Sequence, residues 1–236
     1  MSVVKQKLAT MLHIQETLNN LVNPQWREAG YRWEDALTVE AVELMDHLPW
    51  KWWKAPGQLN IGQIHLEAVD IWHFIMSRLL QEDDPEEIIG NLHHEMEHME
   101  IELDIAGDIE EILDSLRHFI HAVSEENVNM LPGGYVDATQ YTTAFFALLM
   151  SLGMTLDDLY VLYIAKTQLN RLRWANGYGT DYIKIWDGEE DNVWLMKHVE
   201  TLDVDSPTFL EEVFDGLQTR YAQIKEKATM EKCNGK

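Results

Sequence analysis

Between Ile64 and Leu80 the chain is apolar around most of a helical circumference, yet it sets two carboxylates there, three residues apart. Ile64, Ala68, Val69, Ile71, Trp72, Ile75 and Met76 surround Glu67 and Asp70, which share a narrow strip with His73, Phe74 and Ser77. A helix this apolar belongs at the centre of a packed protein. A buried carboxylate without a partner is costly and protonates instead, and two on one face also repel. Glu40 and Glu43 repeat the spacing on the preceding helix, at the border of its apolar stripe. Taken alone, Glu40/Glu43 reads as a solvated helix edge in so acidic a chain. Glu67/Asp70 alone reads as part of a buried ion pair, with Arg78 the basic residue nearby. Taken together, two such pairs on adjacent helices are most readily kept ionised by a divalent cation. An oxygen-only set favours Mg2+ or Mn2+ over Zn2+.

The rest of the chain keeps the helical period. Leu8, Leu12, Gln15, Asn19 and Val22 align between Lys5 and Val22, with Met11, Leu18 and Leu21 beside them, until Asn23-Pro24 ends the helix. Leu37, Ala41, Leu44 and Leu48 mark a second helix from about Trp33 to Leu48, stopped by Pro49. The tryptophan-rich loop PWKWWKAPGQLNIG leads to the central helix. From Glu82 to Asn127 the sequence is acidic and still helical in period, punctuated by Pro85, Gly90 and Gly107. A turn-rich break near Asn129 to Asp137 precedes a helix over about Ala138 to Leu152. Thr155-x-x-Asp158 is a capping box opening a helix that ends at Asn176-Gly177. A polar, aromatic loop is expected from Tyr178 to Asn192, and a last amphipathic helix from near Ser206-Pro207. No strand alternation of useful length occurs. The expected fold is all-α: one domain over residues 1–236, a helical bundle with helices 1–3 and the Thr155 helix as its core. The acidic segment of about 82–127 is a candidate mobile subregion.

Charge narrows the partners. Asp and Glu number 41 against 18 Lys and Arg, a net charge of −23, which argues against a nucleic-acid or anionic-membrane partner. A local basic cluster or a bound cation can still hold a polyanionic small molecule. The longest apolar stretch, Ala144 to Met150, is too short to span a bilayer. The opening MSVVKQKLAT lacks the apolar core of a secretory leader, and one cysteine, Cys233, makes no disulfide framework or thiolate metal site. A reducing, cytoplasmic address is expected.

Three further groups stand out. Gln15 and Asn19 put primary amides on an apolar stripe, where they need partners. Backbone groups would serve, and so would a ligand that offers both donors and acceptors. Lys166, Asn170 and Arg173 fall at i, i+4 and i+7 on one face, followed by Lys184 and Asn192 in the loop. That face reads either as solvated or as a site for a polyanionic small molecule. Finally, His94-Glu95-Met96-Glu97-His98 matches the H-E-x-x-H helix of zinc proteases. The pattern is short and lies in a segment crowded with His and Glu, so it is read as a chance match on a solvated acidic helix.

At the acidic pairs the chain resembles the dimeric all-α dUTPases, within the all-α nucleoside triphosphate pyrophosphatase superfamily. The resemblance is carried by QETLN from Gln15, EAVE from Glu40, KWWK from Lys51, EAVDIWHF from Glu67 and KTQLNRLRWANGYGTDYIKIWDGEEDN from Lys166. The GYGTDY turn is about one residue shorter than the family pattern. The resemblance implies a homodimeric helical bundle that hydrolyses dUTP, and dUDP, to dUMP, releasing pyrophosphate or phosphate. It implies Mg2+, with Mn2+ as a substitute, held by Glu40, Glu43, Glu67 and Asp70, and Glu40 is the residue expected to take the proton of water. It places Lys166, Asn170, Arg173, Lys184 and Asn192 at the phosphates, and Gln15, Asn19, Trp52, His73 and Phe74 at the uracil. Of Trp52 and Trp53, one is expected merely to pack. Tyr182 is the residue expected to reject a ribose 2′-OH. Two other readings remain compatible: a pyrophosphatase for another pyrimidine or non-standard nucleotide, and a dUTPase-like scaffold that binds a regulatory protein.

Overall fold

The computed structural model describes residues 2–55, 59–97, 108–129 and 139–234; Gly107, His98 and the break after Asn129 lie outside them. Helix α1, Val3–Val22, starts where the Ser2 hydroxyl accepts the Lys5 N–H, and ends at an extended Asn23 ahead of Pro24. Leu8, Met11, Leu12, Gln15 and Leu18 are its buried face, while Leu21 and Val22 are exposed. Helix α2, Trp33–Asp46, buries Leu37, Ala41 and Leu44, and Leu48 follows them into the core just past the helix end. Helix α3, Ile61–Glu82, is capped by Asn60, whose side chain accepts the Gln63 N–H at 3.2 Å. Its buried residues, among them Ile64, Leu66, Ile71, Trp72 and Met76, occupy most of its circumference, so it is the central element its composition requires.

The acidic stretch forms two helices, α4 over Pro85–Glu97 and α5 over Ile109–Asn129. Pro85 takes the first helical position, where no N–H is needed. Asp108 accepts the N–H groups of Glu110 and Glu111 at the start of α5. Gly90 is not a break: it lies inside α4, with open space where a Cβ would stand. One glycine costs a helix about 1 kcal/mol, which the burial of Ile88 and Leu92 on either side of it outweighs.

Helix α6 covers Thr139–Ser151 and α7 covers Leu156–Ala175. Thr155 and Asp158 exchange both capping-box bonds, each at 2.9 Å. The stretch read as a loop from Tyr178 to Asn192 contains a hairpin, β1 over Ile185–Trp186 paired antiparallel with β2 over Glu189–Glu190, and the start of α8, Asp191–Val199. Strands of two residues are too short for alternation to reveal. Asp187 and Gly188 turn the hairpin with φ of 50° and 90°, the left-handed pair that a two-residue connection needs. The Asp187 carboxylate is held by Arg220 and Lys227 of α9, Phe209–Asn234.

Apart from that hairpin the described residues form helices and their connections, so the fold is all-α as expected. The chain divides into two compact units, Met1–Tyr160 and Val161–Lys236, with the boundary inside α7. In the first unit α3 packs on α1 and α2, α4 on α1, and α5 on α2 and α6. The core thus takes in α5 and α6, beyond the helices expected to build it. Trp72 of α3 supplies the reason: its ring stacks on Phe145 at 5.5 Å and meets Phe146 at 5.8 Å. In the second unit α8 packs against α9 and the hairpin. Among the described residues no single helix is long and apolar enough to cross a membrane.

Candidate functional site

In the first unit, packing of α2 on α3 brings Glu40, Glu67 and Asp70 together, with one oxygen of each within 4.8 Å of the others. Glu67 is buried; Glu40 and Asp70 are half-buried. Glu67 and Asp70 are neighbours because three residues make nearly one helical turn. Glu43, by contrast, is exposed and stands outside this group. His47, at the end of α2, sets its Nε2 3.4 Å from Glu67 Oε1. Sequence reasoning missed it, although it follows Glu40 by seven residues on the same helical face.

Arg78 is engaged elsewhere. Its Nε donates to buried Glu34 at 2.9 Å, and its Nη1 lies 2.7 Å from Glu82. The buried ion pair on α3 therefore belongs to Glu34, not to Glu67 or Asp70. Three carboxylates this close repel in a half-buried setting, and a cation among them removes that repulsion. Oxygen donors from carboxylates on two helices form a set that suits a hard divalent ion.

A second polar group lies where α1 packs on α3. Gln15 and Asn19 are four apart on α1, as are His73 and Ser77 on α3. His73 Nδ1 meets Gln15 Oε1 at 2.7 Å; the amide oxygen only accepts, so Nδ1 carries the proton. Gln15 Nε2 donates to Asn19 Oδ1 and to Ser77 Oγ, both at 2.9 Å. Asn19 Nδ2 donates to Ser77 Oγ at 3.1 Å, and Ser77 Oγ donates to the His73 carbonyl at 2.8 Å. The expected residues Gln15, Asn19 and His73 thus converge, joined by Ser77, which had been seen only as part of the polar strip. Phe74 is half-buried and its ring lies 6.1 Å from that of Trp33. Trp52 is 88% exposed and meets Trp53, itself exposed, edge-on at 5.5 Å. Trp53 also packs edge-on against Trp50 at 5.3 Å, and Trp50 Nε1 donates to the Met45 carbonyl at 2.9 Å.

The second unit holds the cationic residues. Lys166 is 2% exposed and Arg173 is buried. Arg173 grips Asp191 with two bonds, Nε to Oδ2 at 2.9 Å and Nη2 to Oδ1 at 2.7 Å. It also reaches Asn170 and Asn192, each at 3.2 Å, while Lys166 donates to Asn192 at 3.2 Å. The one-face spacing of Lys166, Asn170 and Arg173 is therefore realised, and Asp191, missed at the sequence level, is the fully buried carboxylate that organises it. Its only sequence signal is its place beside Asn192. Tyr182 donates to Asp191 at 2.8 Å and stacks on Tyr221 at 4.8 Å. Burial, then the Asp191 charge and hydrogen bond, push its phenol far above the ordinary range. Lys184 is exposed and lies 2.9 Å from Glu190. Burial pulls its ammonium down, but the Glu190 hydrogen bond and charge leave it raised on balance.

The H-E-x-x-H stretch shows no converging ligands among the described residues. His94 is exposed, Glu95 accepts a hydrogen bond from Thr143 at 2.9 Å, and His98 lies outside the described residues.

A family model described as dUTPase matches residues 7–178. The match takes in the carboxylates, the Gln15 network and the Lys166–Arg173 face, and stops short of Tyr182, Lys184, Asp191 and Asn192. No curated protein matches the chain.

Proposed function

The chain belongs to the dUTPase family and hydrolyses dUTP, and on that premise we propose that it does so with Mg2+, converting dUTP to dUMP and pyrophosphate and dUDP to dUMP and phosphate. The meeting of Glu40, Glu67 and Asp70 carries this reading. These three would hold the cation, Glu43, which stands outside the group, would be recruited as the fourth ligand, and Mn2+ can replace Mg2+. When bound, the cation supplies positive charge to the phosphate oxygens. Glu40 takes the proton of the attacking water as its oxygen bonds to phosphorus and the P–O bond bridging the α and β phosphates breaks. Lys166, Asn170, Arg173, Lys184 and Asn192 bind the phosphates and stabilise the negative charge that builds on the leaving group. Gln15, Asn19, Trp52, His73 and Phe74 hold the uracil, and Tyr182 rejects a 2′-OH. Residues 1–236 act as one catalytic domain, and the family resemblance supports a homodimer.

The test is a nucleotide panel with separated products, run on metal-stripped protein with and without added Mg2+. The expected result is dUMP plus pyrophosphate from dUTP, and dUMP plus phosphate from dUDP, only when Mg2+ or Mn2+ is present. Full turnover in excess chelator defeats the metal assignment. Equal turnover of dUTP, dCTP and dTTP defeats the uracil assignment.

A further inference from the structure

Tyr182 is held at its tip, where its hydroxyl donates to Asp191 at 2.8 Å. A bond at that atom fixes the oxygen but not the ring. The ring can still turn about the line from Cβ to Oη, because the line passes through the bonded atom and the torsion concerned is a soft one. The flat of the ring, the surface a sugar would meet, needs a second contact to be fixed.

Helix α9 supplies that contact. Phe209, Val213, Leu217, Tyr221 and Ile224 form its buried stripe, three or four residues apart. The Tyr221 ring lies 4.8 Å from that of Tyr182, with 22° between their planes, so turning Tyr182 breaks a stack that aromatic pairs favour. Tyr221 is itself steadied. Its hydroxyl oxygen accepts the Ile183 N–H at 3.2 Å, and its ring tilts against Trp186 at 5.9 Å. Arg220 and Lys227, on the same helix, hold Asp187 at the hairpin turn. Helix α9 thus grips the chain at Tyr182, Ile183 and Asp187, on both sides of Lys184. Leucine at position 221 would keep the stripe apolar but could not stack.

We infer that Tyr221 is a positioning residue for sugar selection: it fixes the plane of the Tyr182 ring, the surface that turns a 2′-OH away. This rests on the proposed role of Tyr182. Tyr221 acts through Tyr182 and not on the nucleotide.

The test compares kcat/KM for dUTP and UTP, side by side in saturating Mg2+, with urea denaturation of each variant as the check on folding. Tyr221→Leu removes the ring, and the dUTP-to-UTP ratio is expected to fall about fivefold to tenfold, as the loss of one aromatic stack allows. Tyr221→Met takes its place if the leucine protein does not fold. Tyr221→Phe keeps the ring and gives up only the hydroxyl, and is expected to hold the ratio within twofold of wild type even where stability drops. A ratio within twofold of wild type in the folded Leu or Met protein overturns the inference, since Tyr221 would then be core and nothing more. A ratio lost as fully in the Phe protein overturns it too, because the stack would not be the cause. Tyr182→Leu separates the two layers. If it leaves the ratio unchanged, sugar rejection lies elsewhere and the underlying reading fails. If it lowers the ratio while Tyr221→Leu does not, only the role of Tyr221 fails.

Discussion

Two charged clusters in this protein are built on opposite principles. In the first unit, α2 and α3 crowd like charges: Glu40, Glu67 and Asp70 place oxygens within 4.8 Å of one another. In the second, Arg173 and Asp191 match opposite charges through two hydrogen bonds, with Tyr182 and the Asn192 backbone N–H adding two more to the same carboxylate. The first arrangement carries repulsion that a ligand relieves. The second balances itself. A cluster of the first kind works against stability until it is loaded, whereas one of the second kind holds the chain together and orients the residues around it.

The sharpest way to break this comparison is to remove one charge from each cluster. Asp70→Asn should lower dUTP turnover in saturating Mg2+ by about a thousandfold, since several kcal/mol of charge stabilisation depend on the ligand set. In chelating buffer the same change should leave the denaturation midpoint unchanged or raise it, because a like charge is gone. If Asp70→Asn keeps near wild-type turnover, the carboxylates are structural.

Asp191→Ala should do the reverse. It strands a buried guanidinium and should cost about 3–5 kcal/mol of unfolding free energy, read from urea denaturation. A loss of the same size from Asp70→Asn would erase the distinction between the clusters.

Packing in the second unit provides a control for that loss. A Cβ at Gly216 of α9 would come within 2.1 Å of His198 Nε2 on α8, so Gly216→Ala should cost about 1–3 kcal/mol through overpacking. Adding His198→Ala should recover most of it. If the ion pair carries the unit, Asp191→Ala outweighs Gly216→Ala in the same urea titration.

The smallest effect concerns Tyr182. Loss of its hydrogen bond in Tyr182→Phe should cost about 1 kcal/mol at pH 7. Its phenol is raised in the native state, by burial and then by Asp191. The stability tied to that shift is fully present below the unfolded value of about 10 and declines as pH rises above it, because the unfolded chain gives up the proton first. Thermal melts from pH 8 to 11 should show the wild type losing stability faster than Tyr182→Phe. Parallel curves would mean that the phenol titrates alike in both states.

Much of this was legible in the sequence because it is local. The period of apolar residues placed α1, α2, α3 and α7, and the Thr155–Asp158 box marked the start of α7 to the residue. The exceptions are instructive. Gly90 sits within α4 because neighbours that pack outweigh a weak propensity. The hairpin at Ile185–Glu190 was hidden because its strands span two residues each. In the candidate site, Gln15, Asn19, His73, Lys166, Asn170, Arg173 and Asn192 were found from spacing and resemblance. His47, Ser77 and Asp191 were given no role, since nothing in their own stretch of chain announces the partner each one meets.

A helix sets which residues share a face, because 3.6 residues make a turn whatever surrounds it. The sequence by itself therefore determined that Glu67 and Asp70 are neighbours on an otherwise apolar helix, that Gln15 lies over Asn19, and that Lys166, Asn170 and Arg173 line one side of α7. How one helix rolls against another depends on the shapes of all the side chains between them. Tertiary structure alone decided that Glu40 and not Glu43 meets the pair on α3, that Arg78 turns to Glu34 across 44 residues of sequence, and that Ser77 receives the Gln15 amide across 62.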